Sequence, residues 1–110
     1  MMRAVALFAC AAAAMLLAST AGRASDPAPT GRDQFRQTCG GCHLAGGFGT
    51  RVLARRVPQG QAELENRTGL NADYVKLVVR HGMGSMPQIR RTELPDAQLD
   101  AIARYLEHGQ

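Results

Sequence analysis

Cys39-Gly40-Gly41-Cys42-His43 reads C-x-x-C-H, and no other feature limits so strongly what this chain can fold into. Two thiols one helical turn apart, with an imidazole beside the second, match the attachment chemistry of a c-type haem. The thiols can add to the two vinyl groups of one porphyrin, and the imidazole can reach the iron from one face of the ring. A chain that carries such a group assembles its core around a flat apolar disc. Composition agrees independently. Aromatic residues make up 5% and Trp is absent, so a core of side chains alone looks underfilled in a domain this small.

Other readings of the thiol pair fit less well. A zinc site needs a second Cys or His pair, and only His81 and His108 remain. A thioredoxin-like pair wants a βαβ context that the sequence lacks. A plain disulfide stays open for an exported chain.

Residues 1–24 have the layout of a secretory signal peptide. A short basic start, Met1 to Arg3, precedes an apolar, alanine-rich run from Ala4 to Ala18, with Ala21 and Ala24 as candidate cleavage points. The run is short for a membrane span, so membrane contact is expected only if the segment stays uncleaved. Cys10 lies within it and would be lost on export, which leaves Cys39 and Cys42 as the only cysteines. Export to the periplasm suits covalent haem attachment, because reduced thiols meet haem outside the bacterial cytoplasm. The formal charge of +4 falls to about +2 once Arg3 and Arg23 are removed. That excess is too small and scattered for nucleic acid. The doublets Arg55-Arg56 and Arg90-Arg91 read as solvated surface, or as a docking rim for an acidic partner.

Residues 25–30, with Pro27 and Pro29, read as a flexible leader, and 31–110 as one domain. A first helix is expected from Gly31 or Arg32 toward the C-x-x-C-H turn, with Phe35 and Cys39 on one face. The glycines of Leu44 to Thr50 predict an irregular loop, and Gln61 to Asn66 a short helix. Asn71 is a good N-cap for a helix whose apolar stripe is Tyr74, Leu77 and Val78 and whose stop is Gly82. Gly82 to Pro87 predicts a loop. A last helix starts near Pro95 or Asp96, buries Leu99, Ile102, Tyr105 and Leu106, and stops at Gly109.

Iron held by His43 needs a sixth ligand, and Met83, Met86, His81 and His108 are the candidates. Met86 is the best placed, because Pro87 stiffens the backbone that presents its thioether. Met83 reads more readily as core filler. His/Met ligation raises the reduction potential and fills both axial positions, which favours electron transfer over catalysis.

These residues together resemble the class I cytochromes c. Gly31, Phe35 and Cys39 follow the family pattern G-x3-F-x3-C, Ile102 and Tyr105 match the apolar and aromatic pair of its closing helix, and Met86-Pro87 matches its distal ligand loop. The resemblance implies a small all-α fold wrapped around one covalent haem c. It also implies crossed first and last helices, with the small residue of one admitting the aromatic of the other. Within the family, Leu70 to Gly82 and the short run to Met86-Pro87 resemble the cytochrome subunits of 4-cresol dehydrogenase-like flavocytochromes. The family often has Gly-Pro after the haem histidine, and that proline's carbonyl accepts the imidazole N–H. Here the place falls near Thr50-Arg51 without a proline, and another backbone carbonyl is expected to accept the bond.

The expected cofactor is thus one haem c, bound through Cys39 and Cys42, with iron held by His43 and Met86. The expected role is a non-catalytic periplasmic electron carrier. Its expected partners are a flavin- or quinone-dependent dehydrogenase upstream and a cytochrome or oxidase downstream. A haem-based ligand sensor or peroxidase-like protein is the alternative, and it requires a labile Met86 bond.

Overall fold

The computed structural model describes residues 28–108. The expected signal segment, the first half of the leader (25–27) and Gly109 lie outside the described residues. Five α-helices follow one another: α1 (Gly31–Thr38), α2 (Gly40–His43), α3 (Phe48–Leu53), α4 (Ala72–His81) and α5 (Asp96–His108). A single 3₁₀ turn, Leu64–Asn66, lies between α3 and α4. The fold is all-α: among the described residues the one extended pairing is an isolated bridge between Met83 and Met86. None of the described helices is long and apolar enough to cross a membrane.

Local chemistry explains where the longer helices start. Thr30 and Asp33 form a reciprocal capping box on α1, each side chain accepting from the other's backbone N–H. Asn71 Oδ1 accepts from the backbone N–H groups of Asp73 at 2.9 Å and Tyr74 at 3.2 Å, which opens α4. At the other end of α4, Gly82 sits at φ 75° and its N–H donates to the Val78 carbonyl at 2.7 Å.

The core lies where α5 meets α1 and α4. Leu99, Ile102, Ala103 and Leu106 of α5 bury against Phe35 of α1, Val75 and Val79 of α4, and Leu70 and Leu94 from the connections. The crossing of α1 and α5 follows the family expectation. A Cβ on Gly31 would collide with the carbonyl oxygen of Ala101 and lie 3.0 Å from the Cβ of Tyr105, so only glycine admits this approach. The Phe35 and Tyr105 rings meet at a centroid distance of 6.1 Å, tilted by 45°.

A buried carboxylate ties the same crossing to the 3₁₀ turn. Glu65 is only 8% exposed. Arg36 grips it in bidentate fashion, Nε to Oε1 at 2.8 Å and Nη2 to Oε2 at 2.7 Å, and the Tyr105 hydroxyl donates to Oε1 at 2.8 Å. The Arg36 hydrogen bonds hold the Glu65 carboxyl below its ordinary value of 4.5 against the opposing push of burial, and Tyr105 adds to the lowering.

Three sequence expectations are corrected. The segment after His43 is not loop throughout, because α3 begins at Phe48. Two of its glycines mark close approach: a Cβ on Gly47 would strike the Cys42 carbonyl, and one on Gly49 would lie 2.9 Å from its oxygen. The helix expected over Gln61 to Asn66 shrinks to the 3₁₀ turn. The stripe of α4 that meets α5 is Val75 and Val79, whereas Tyr74 and Leu77 remain 46% and 56% exposed. That helix is apolar on two sides, and periodicity alone does not say which side the protein core takes.

Phe35→Ala is expected to cost about 3–5 kcal/mol by chemical denaturation, because the ring is wholly buried at the α1–α5 crossing. Glu65 binds its proton less readily folded than unfolded, so its stabilisation is complete above about pH 4.5 and fades as pH falls through the lower folded value. Glu65→Gln is therefore expected to destabilise the protein at pH 7, with the difference from wild type closing on acidification. Urea melts of both proteins across pH 3 to 7 would show this, and parallel stability curves would contradict it.

Candidate functional site

Cys39, Cys42 and His43 sit together on one turn at the end of α1 and through α2. Cys39 is the junction residue, capping α1 with its N–H on the Phe35 carbonyl at 2.7 Å. The two cysteines are not bonded to each other. They differ in setting: Cys39 is part-buried and packs against the core cluster, while Cys42 is exposed. Burial, with a smaller contribution from Cys42, pushes the Cys39 thiol up to about 11, so it stays protonated at neutral pH.

Helix α3 braces the turn from behind. The Thr50 hydroxyl donates to the Leu44 carbonyl at 2.8 Å, and the Arg51 guanidinium donates to the Gly46 carbonyl. A Cβ on Gly49 would come within 3.1 Å of both Cε1 and Nδ1 of His43, so this edge of the imidazole lies flat against the glycine. Nδ1 is buried there with no hydrogen-bond partner. The expected carbonyl acceptor near Thr50-Arg51 is therefore not found: the Thr50 hydroxyl bonds the turn's carbonyls, and the ring meets a bare glycine. With Nδ1 enclosed, Nε2 is the nitrogen left to meet a metal. Burial also pushes the His43 pKa down, favouring the neutral, ligating imidazole.

The two methionines occupy the connection from α4 to α5. Met83 and Met86 exchange backbone hydrogen bonds of 3.0 and 2.9 Å around Gly84-Ser85, with Gly84 at φ 58°. Side chains of a directly paired couple leave on the same face. Their environments differ, however. Met86 is part-buried and packs against the core cluster that Cys39 also touches. Met83 is exposed, and its sulfur accepts from the Tyr74 hydroxyl at 3.7 Å. Of the other candidate ligands, His81 donates from Nδ1 to the Leu77 carbonyl at 2.9 Å at the exposed end of α4, and His108 is exposed near the end of α5. Among the described residues no three His, Cys, Asp or Glu side chains converge to hold a metal ion.

These residues suit a haem. Two thiols stand one turn apart, the histidine beside them shows a single ring nitrogen, and a thioether is held on a short turn. Phe48, Tyr74, Leu77 and Met83 are large, exposed and apolar or amphipathic, the kind of surface that a porphyrin would cover.

Comparison with known proteins agrees. The cytochrome family described as "Cytochrome C oxidase, cbb3-type, subunit III" matches residues 26–106. The chain belongs to that family and is a class I cytochrome c. Two crystal structures of p-cresol methylhydroxylase, one with substrate bound, are similar at 27% identity and a TM-score of 0.50. The alignments cover 74% of this chain and 93% and 94% of theirs. Cytochrome c6C from Synechococcus sp. PCC 7002 aligns at 24% identity and a TM-score of 0.47, over 71% of this chain and 90% of its own. No curated protein matches. This cytochrome is accordingly a haem electron-transfer protein.

Reasoning from the sequence missed Thr50 and Tyr74 at the site, and the Arg36–Glu65 pair at the helix crossing. Glu65 and Arg36 are 29 residues apart, and no local pattern joins them.

Gly49→Val is expected to displace the His43 ring, because the added branch has no space between the ring and the Cys42 carbonyl. The variant should show a perturbed haem absorption spectrum or reduced haem content per polypeptide. A spectrum and haem content equal to wild type would mean that α3 does not support the imidazole.

Proposed function

We propose that this cytochrome is exported to the periplasm, carries one haem c, and accepts electrons from a dehydrogenase, as a free carrier or as that enzyme's cytochrome subunit. It then passes them toward the respiratory chain. The observation that carries the proposal is the pairing of a braced C-x-x-C-H turn with a part-buried thioether on a short, bridged turn. The likeness to chains of p-cresol methylhydroxylase, an oxidising enzyme by name, supports a dehydrogenase as the electron source.

When bound, the haem supplies an iron that cycles between ferrous and ferric states by one electron. The protein does the rest. Cys39 and Cys42 would hold the porphyrin through thioether bonds, each formed by an S–H adding across a vinyl double bond. His43 would hold the iron through Nε2, with its other nitrogen enclosed by Gly49. Met86 would hold it through its sulfur. Tyr74 and Leu77, on the second apolar side of α4, exclude water from the ring. A thioether is a softer and weaker donor to ferric iron than a second imidazole, so this ligand pair would favour the reduced form relative to two nitrogen ligands. Iron held by both residues would offer no site to substrate or oxygen, which suits electron transfer.

The exported protein is expected to carry the mass of one haem, and its ferric form to show the weak red charge-transfer band of thioether ligation. Met86→Ala should abolish that band, lower the potential and let the ferrous protein bind carbon monoxide. Should Met83→Ala produce these effects and Met86→Ala leave them absent, the ligand assignment is wrong. Native purification from the periplasm should bring down a dehydrogenase subunit, if the protein is a fixed subunit of one.

A further inference from the structure

The segment that follows Met86 is strapped to α4 by one side chain. Arg80 lies in the last turn of α4, yet its side chain is only 13% exposed, unusual for a residue that normally reaches water. Its Nη1 donates to the Ile89 carbonyl at 3.0 Å, and its Nη2 to the Leu94 carbonyl at 2.9 Å and to Asp96 Oδ1 at 2.8 Å. Its Nε is buried without a partner, so the stem as well as the head is enclosed. Next to it, the Ile89 N–H donates to the Val79 carbonyl at 2.8 Å.

The segment that leads into Met86 is tied to the same place. At Gly82 the chain folds back so tightly that a Cβ there would lie 2.7 Å from the Met86 carbonyl oxygen and 2.9 Å from the Gln88 nitrogen. Met86 therefore sits within a short closed span, 82–89, both ends of which are fastened to the end of α4. On the outgoing side, among the described residues, the side-chain hydrogen bonds from α4 to residues 89–96 come from Arg80.

We propose that Arg80 is a positioning residue for the axial methionine. Its guanidinium holds the segment from Ile89 to Asp96 against α4, and so keeps the Met86 sulfur at high effective concentration beside the iron. This rests on Met86 being the ligand, as proposed above. A thioether is a neutral, soft donor that exchanges readily on ferric iron, and its hold depends on how little freedom its tether has. Charge-assisted hydrogen bonds to three acceptors on one segment remove that freedom more firmly than neutral ones. Neither α1 nor the C-x-x-C-H turn contributes to the strap, so it acts on one axial side.

The test uses the haem-loaded protein and imidazole as a competing ligand. Ferric protein is titrated with imidazole while the thioether charge-transfer band is followed. Arg80→Met keeps the aliphatic stem and removes every donor; its imidazole affinity is expected to rise about tenfold, with a lower reduction potential. Arg80→Lys keeps the charge but cannot span all three acceptors, and a rise of about threefold is expected. Glu65→Gln serves as a control that weakens the fold at the α1–α5 crossing; it should lower the melting temperature and leave imidazole affinity unchanged. Wild-type imidazole affinity in both Arg80 variants overturns the proposal, as does an equal rise in Glu65→Gln. If Arg80→Met does not accumulate with haem, Arg80→Lys decides alone. Met86→Ala, titrated in parallel, separates the two ideas. A surviving charge-transfer band in it overturns the ligand assignment itself. A lost band, with unchanged Arg80 variants, overturns only the strap.

Discussion

Helix α1 lies so close to α5 that Gly31 touches the backbone of Ala101, and the rest of the structure follows from that contact. It lets Phe35 reach the centre of the core and brings its ring to Tyr105. Four residues beyond Phe35, one helical turn, the chain reaches Cys39, which therefore leaves α1 already packed against the core. The position of the C-x-x-C-H turn is thus set by a helix crossing and not by the turn itself. Glu65 reinforces the arrangement by accepting from a side chain on each helix of the crossing. Such a buried, fully bonded carboxylate contributes specificity of arrangement as well as energy.

The histidine and methionine parts of the candidate site are built on different principles. On the histidine side, backbone meets backbone: α3 presses onto the attachment turn through glycines, and the imidazole is held by contact without a hydrogen bond at Nδ1. On the methionine side, a tight bridged turn and a guanidinium hold a flexible side chain in place. A rigid imidazole needs only a wall, whereas a thioether with several rotatable bonds needs its backbone immobilised.

Much of this was legible from local signals. The attachment turn, the Asn71 cap, the Gly82 stop and the buried face of α5 each depend on residues within one or two turns of one another. The α1–α5 contact was legible through Gly31, Phe35 and Tyr105, because the family resemblance supplied the pairing that spacing alone does not. Glycine misled where it served close approach: Gly47 and Gly49 have the composition of a loop and the function of a packing surface. The apolar pattern of α4 was read correctly as helix, but Tyr74 and Leu77 of the stripe named are exposed, and the buried face is Val75 and Val79, because periodicity alone does not say which side of a two-sided apolar helix packs inward.

The amino-acid sequence by itself determined the chemistry: which thiols and which imidazole stand together, that the chain is helical, and that it belongs among the cytochromes c. These depend on neighbours along the chain, where spacing maps directly onto geometry. Only the tertiary structure decided that Arg80 reaches the segment after Met86, that Arg36 and Tyr105 share Glu65, and that Gly49 forms the wall behind His43. Those contacts join groups from elements whose relative placement comes from packing, and packing is a property of the whole core that no short window of sequence contains.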